Sequence, residues 1–360
     1  MNDANPPAPG SGWEAYSSTN KTCSPGGAPG GSISQTCQNL SRKYFSKFPY
    51  LSQINEMQNL DASKYNSLQV TLTHRAWHRL NYVLGYVYGH CFEMMSRAGA
   101  AGGSWLPGNI YNVAADYGNC DFDVRHNVTL SLTYALPGKK GYGQMLEGWK
   151  INSVFRYQTA IPWRVEDTKD NISGTNSLRD HWDFFGNIND FNNQQYAGIA
   201  YYTGTANTGT NSAQFNKCLT QAIALDSGYT PVFSRWTVAN SGHEAALLKF
   251  GCFVNGSSVQ IPPAYGTWGN EGRNMFRGEP FHTWDLSLAK AFRFTERVNA
   301  EFRFESFNIL NQTNYYTNTG DPSATSTFGA SRQTPDVGIS NATVGSGGPR
   351  SIQLGFRLTF

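Results

Sequence analysis

The last ten residues, Ser351-Ile352-Gln353-Leu354-Gly355-Phe356-Arg357-Leu358-Thr359-Phe360, alternate apolar and polar without a break. Ile352, Leu354, Phe356, Leu358 and Phe360 fall on one side; Ser351, Gln353, Gly355, Arg357 and Thr359 fall on the other. A period of two marks a strand, because successive side chains leave opposite faces of a sheet. The run is about twice the usual length of a soluble strand. It suits the roughly 9–11 residues that a tilted strand needs to cross a bilayer.

Six more runs of this kind precede it. Asn66–Arg75 presents Leu68, Val70 and Leu72, and Arg79–His90 presents Leu80, Tyr82, Leu84, Tyr86 and Tyr88. Asn127–Leu136 presents Val128, Leu130, Leu132 and Tyr134; Gly148–Thr159 presents Trp149, Ile151, Phe155 and Tyr157. Trp284–Phe294 presents Trp284, Leu286, Leu288 and Phe292; Arg297–Ile309 presents Val298, Ala300, Phe302 and Phe304. Helical periodicity is almost absent. An eighth, poorer strand is expected near Pro49–Met57.

The connections between runs go short, long, short, long, short, long. Ala76–His78, Pro137–Glu147 and Thr295–Glu296 are short; Cys91–His126, Ala160–Thr283 and Leu310–Arg350 are long. Outer-membrane barrels have this asymmetry, with tight periplasmic turns and extended outer loops. The reading is therefore an all-β, antiparallel transmembrane barrel portion of about seven or eight long strands. Residues 1–47 form an irregular Gly/Ser/Pro-rich segment and residues 48–360 the barrel part, with its longest loop at 161–282. Seven or eight strands suffice for a small closed barrel, or they are one arc of a larger one. Leu130, Leu132, Tyr134, Phe302, Phe304, Leu354, Phe356 and Leu358 are expected to face lipid.

Composition agrees. Charged residues are 15% of the chain against about 25% in ordinary soluble domains, and aromatics are 14%, so most of the chain is not disordered. No apolar stretch reaches the roughly 18 residues of a transmembrane helix. A net charge of +3 gives no basic face for nucleic acid. The six cysteines fit no zinc or redox spacing, and in order they pair as Cys23/Cys37, Cys91/Cys120 and Cys218/Cys252. Such pairs staple loops outside the cytosol. Met1–Pro6 has neither a basic start nor an apolar core, so no secretory signal is expected there.

Several segments resemble the C-terminal barrel region of TonB-dependent outer-membrane transporters, in particular the Oar-like proteins of acidobacterial type. Tyr65-Asn66-Ser67-Leu68-Gln69 resembles their Y-N-x-L-Q strand opening, and Asp121-Phe122-Asp123-Val124-Arg125-His126 their D-x-R-H strand start. Gly148-Trp149-Lys150 looks like the next strand start, and Gln158-Thr159-Ala160-Ile161-Pro162 the following strand exit. Gly269-Asn270-Glu271-Gly272-Arg273-Asn274-Met275-Phe276-Arg277-Gly278 is similar to G-N-x-G-R-N-x-[LF]-R-G. Glu305-Ser306-Phe307-Asn308 through Asn311-Gln312-Thr313-Asn314 is similar to the family's E-x-F-N-x-x-N-x-T-N strand end. The resemblance covers Pro49 to Phe360. It implies a 22-stranded barrel with a plug domain, of which this chain is the last third, without plug, coupling box or signal peptide. It further implies uptake of a large or scarce substrate. The implied partners are outer-membrane lipid, the barrel assembly machinery reading Phe360 as its signal, and, in a full-length protein, the plug domain and the TonB energy-coupling complex.

No enzyme constellation, cofactor or metal site is expected. His243-Glu244 begins like a zincin motif, but Leu247 stands where the second His belongs. Asp167, Asp170 and Asn171 lack the remaining ligands of a calcium loop. Trp163, Trp182, Tyr201 and Tyr202, in the longest loop, either contact ligand or supply the small core that so long a loop needs. Arg125, Arg156, Arg273, Arg277, Arg303, Glu301 and Glu305 are expected along the polar faces, as lumen contacts or wall ion pairs. The alternative to a transporter is a soluble or surface-exposed β-sandwich for carbohydrate binding or adhesion.

Overall fold

The computed structural model describes residues 2–24, 32–56, 62–94, 107–167, 172–175, 179–194, 198–204, 210–233, 236–315, 318–335 and 347–360. Seven long strands build one sheet: β1 (Ser63–Trp77), β2 (Leu80–Glu93), β3 (His126–Ala135), β4 (Trp149–Gln158), β5 (Phe281–Arg293), β6 (Asn299–Phe307) and β7 (Ser351–Thr359). Each pairs antiparallel with its neighbour in sequence, so the sheet is a plain meander. The sheet is open. Among the described residues no strand covers the outer edge of β1 or of β7.

Register carries the alternation of single strands across the whole sheet. Leu72, Leu84, Leu130, Phe155 and Trp284 lie in one row on one face. Leu80, Tyr134, Ile151, Leu288, Phe304 and Leu354 form another row on that face, two rows away. Behind them Asn81, Thr133, Asn152, Ser287, Glu305 and Gln353 line the other face. A slip of one residue would exchange the two faces, so this register is strongly specified. The apolar face is bare: Leu354 is 79% exposed, and Leu68, Leu72, Phe302, Phe304, Phe356 and Leu358 are exposed too. Leu130, Leu132 and Tyr134 are half-buried on the same face. In water, burying such a patch would stabilise the protein by about 25 cal/mol per Å²; a bilayer removes that drive.

The ends of the sheet differ. At one end lie the β1–β2, β3–β4 and β5–β6 turns; at the other, the three long loops and the N-terminal segment form a folded head. Its centre is a four-stranded sheet of Asp183–Phe185, Ser258–Ile261, Cys252–Asn255 and Ala200–Tyr202, in that spatial order. Helix α1 (Thr210–Asp226) is tied to it by the Cys218–Cys252 disulfide, and α2 (His243–Phe250) lies against α1. Phe328, from the β6–β7 loop, stacks on Phe253 at 3.7 Å between ring centroids. Trp13, from the N-terminal segment, meets Tyr265 edge-on at 6.0 Å, and its indole N–H donates to Ile172 O.

Three expectations are corrected. Asn55–Glu56 is a two-residue strand paired with Asn2–Asp3, so Pro49–Met57 supplies no barrel strand; Met57 itself lies outside the described residues. Residues 1–47 are not merely irregular. They hold a small hairpin (Ala15–Ser17 with Thr22–Ser24), a short helix at Gln35–Leu40 and the Cys23–Cys37 bridge, and they are built into the head. The β1–β2 turn is His78-Arg79, not Ala76–His78, because an irregularity between His74 and Trp77 lengthens β1.

That turn is two residues long with φ of 49° at His78 and 67° at Arg79. Both are left-handed, as the twist of a two-residue hairpin requires, and each costs an ordinary L-residue about 1–2 kcal/mol. Replacing the pair together, His78→Asn with Arg79→Gly, is expected to stabilise the protein by about 1–2 kcal/mol. Urea unfolding in detergent checks this, and no gain in midpoint would contradict the turn geometry.

Candidate functional site

The two most motif-like segments of the chain meet where the head joins the sheet. Asp123, just before β3, has a 1% exposed side chain and four donors. Its Oδ1 accepts from the Cys91 amide (2.8 Å) and faces His90 Nδ1 (3.3 Å). Its Oδ2 accepts from Arg125 Nε (2.7 Å) and Arg277 (2.6 Å). Arg277 also donates to the Asp123 carbonyl. Burial alone would raise this carboxyl. The hydrogen bonds from Arg277, Cys91, Arg125 and His90 outweigh it and hold the group at about 2.

A second contact sits beside the first. Arg273, itself buried, donates to Met94 O (2.7 Å), Glu93 (3.1 Å) and Asp121 (3.1 Å). Asn274 bonds Asn119 O (2.8 Å) and Asp121 (2.7 Å), and Asn119 returns a bond to Asn274 O. Residues 273–277 therefore act as a latch, gripping the rim of β2 and β3 from the head. The Cys91–Cys120 disulfide closes the segment they grip. Arg273 and Arg277 are thus rim residues and not lumen lining. The strands place Arg303, Glu301 and Glu305 on the polar face, where Arg303 pairs with both acids on its own strand at 2.8 and 3.4 Å.

The aromatic loop residues are mostly core. Trp163 and Trp182 are 5% and 2% exposed and pack with Phe184, Phe191, Phe276 and Phe328. They offer no surface for a ligand to stack on, because the head's long loop needs them for its own core. Tyr201 is half-buried, with its hydroxyl donated to Phe250 O at 2.7 Å; Tyr202 is half-buried against the core around Cys218 and Cys252. All six cysteines are bridged, in the three sequential pairs. The groups of three candidate metal ligands among the described residues are built on these bridged cysteines, whose sulfurs hold no thiolate. Asp167 is buried, while Asp170 and Asn171 lie outside the described residues.

His243 and Glu244 start α2. Their amides donate to Asp226, which caps the helix. The His243 ring lies between Asp226 (2.8 Å) and Asp183 (3.5 Å), joining both helices to the small sheet. Burial would lower this imidazole, but the two carboxylates prevail and raise it. Glu271 shows the opposite balance. Fully enclosed, it accepts from the Val165 amide and Gln260 Nε2, both at 2.8 Å, yet burial dominates and pushes it up from 4.5 to about 8.

A family model described as "Outer membrane beta barrel domain" matches residues 1–353. No curated protein and no solved structure matches the chain.

Two outcomes follow from the latch and the buried acid. Asp123→Ala leaves two arginines and an amide without their acceptor. Loss of one partner in a fully buried pair costs about 3–5 kcal/mol, and the partial exposure of Arg125 and Arg277 brings this to a few kcal/mol. Hydrogen exchange at residues 269–278 should rise sharply in Asp123→Ala and hardly at all in Arg303→Ala, whose exposed pairs contribute about 0–1 kcal/mol. Equal exchange in both variants would remove the latch.

For Glu271, the folded state keeps its proton while the unfolded chain loses it. Its contribution to head stability is therefore fully present below about pH 4.5 and is lost as pH rises to about 8. Glu271→Gln should flatten thermal unfolding of the head across that window. An unchanged slope would refute a neutral Glu271.

Proposed function

Because the chain belongs to the outer membrane beta barrel domain family, we propose that it is the C-terminal arc of a TonB-dependent outer-membrane transporter. The observation that carries this is that, among the described residues, no strand covers either edge of the sheet of seven long strands. Every unpaired peptide group in hydrocarbon costs several kcal/mol, so a spanning sheet must close. In this reading further strands of the same polypeptide cover β1 and β7, a plug fills the lumen, and the apolar face meets lipid. Two features support the reading. The motif segments 121–126 and 269–278 are the two halves of the latch, and all the long loops gather at one end in a disulfide-stapled head. The head then stands outside the cell and admits a large or scarce substrate, which is moved and not chemically changed. Phe360, 91% exposed at the end of an edge strand, serves as the assembly signal, read by strand addition.

An antibody against the head, applied to outer-membrane fractions, tests this. The expected species is a heat-modifiable polypeptide much larger than 39.8 kDa. It should crosslink to TonB, stay closed to ions in planar bilayers, and fall in amount with Phe360→Asp. A species of the chain's own mass that forms open pores would point to a barrel closed by several copies, and would overturn the transporter reading.

A further inference from the structure

The β3–β4 connection, residues 136–148, is the longest of the three at the turn end, and it does not hang free below the sheet. Two side chains of the apolar face hold its backbone. The Trp149 indole N–H donates to Met145 O at 2.8 Å. Lys290, only 5% exposed although it stands among apolar neighbours, donates to Gln144 O (2.5 Å), Ala291 O (3.1 Å) and Glu147 O. Its ammonium also lies 4.3 Å from the Phe292 ring centroid and 5.7 Å from that of Trp149. From the strand side, Gln144 exchanges two bonds with the Arg293 backbone, at 2.6 and 2.8 Å.

Because Trp149 and Lys290 belong to the apolar face, the loop they hold is folded over the outside of the barrel wall. What it presents there is apolar. Tyr142 is 70% exposed, and Met145 and Leu146 are exposed beside it. Lys139 and Lys140 stand exposed on the same loop. The patch is continuous with the apolar face of β4 and β5, and its charge is positive. Aromatic and basic side chains at the edge of an apolar band are the composition of a membrane interface.

We propose that this loop is a membrane foot. It inserts Tyr142, Met145 and Leu146 into the phospholipid leaflet on the turn side and sets Lys139 and Lys140 on anionic headgroups. The surface this loop meets is an anionic phospholipid leaflet. Lys290 has its protons taken by three carbonyls, so its part is to shape the foot, not to bind phosphate. The inference goes beyond transport and rests on the apolar face being the lipid-facing one.

All six cysteines are bridged, so an introduced thiol takes a single fluorophore. The outer-membrane protein carrying this chain is labelled at Leu146→Cys, Thr295→Cys or Leu132→Cys and reconstituted in nanodiscs of mixed phosphatidylglycerol and phosphatidylcholine. The label at 146 should be blue-shifted, quenched by nitroxide lipid and shielded from iodide. The label at 295, in the neighbouring turn, should behave as in water. Nitroxide phosphatidylglycerol should quench position 146 several-fold more than nitroxide phosphatidylcholine. That ratio should fall to about one in Lys139→Gln/Lys140→Gln, as expected for basic side chains at an anionic surface.

Position 132 separates the two readings. If it is quenched by lipid and position 146 is not, the foot is wrong and the lipid-facing assignment stands; if neither is quenched, both fall. Shielding of position 146 from iodide without lipid quenching means a protein partner covers it, and overturns the foot. A lipid ratio unchanged by the lysine variant overturns the headgroup contact.

Discussion

A peptide group in hydrocarbon has no water to bond, and the rest of this molecule follows from that constraint. Helices and closed sheets alone satisfy every amide within the membrane. This chain uses the sheet, so its strands are long, its register is continuous across seven strands except for the irregularity between His74 and Trp77, and each side chain is committed to one face. The same constraint makes the outer edges of β1 and β7 the decisive feature. An edge of exposed amides is an aggregation hazard in water and untenable in lipid.

Outside the membrane the problem reverses. A loop of some 120 residues is rarely structureless in a folded protein, and ordering it costs about 1–2 kcal/mol of backbone entropy per residue that buried side chains must offset. The chain answers with a head whose core is aromatic: Trp163, Trp182, Phe184, Phe191, Phe253, Phe276 and Phe328 enclose one another. Three disulfides limit the freedom of its segments. Head and sheet bury different surfaces in different solvents, and among the described residues the buried apolar clusters all lie in the head. Charge and hydrogen bonds join the two at the rim, through Arg273, Asn274 and Arg277 on Glu93, Asp121 and Asp123.

The turn end is spare by comparison. His78-Arg79 closes a hairpin in two residues, and the β5–β6 turn takes five, residues 294–298. The β3–β4 loop departs from this economy. Its Gln144 and Glu147 carbonyls satisfy a lysine that would otherwise hold an unpaired charge on an apolar wall.

Much of this was legible in the residues. Alternation from Ile352 to Phe360 needs only that neighbouring side chains face opposite ways, so strand, face and length could be read without any partner. The order of short and long connections, and the pairing of cysteines close in sequence, are likewise local facts. What tertiary structure decided were questions of company. Pro49–Met57 alternates weakly, and whether it joins the barrel depends on which strand lies beside it; Asn2–Asp3 does. Trp163 and Trp182 have the same chemistry on a surface or in a core, and only the packing of distant phenylalanines makes them core. Arg273 and Arg277 lie about 150 residues from Asp121 and Asp123. No spacing rule links positions so far apart, because the latch is a property of where two loops meet. A strand's periodicity is written in the strand, whereas a contact between loops exists only once the chain has folded.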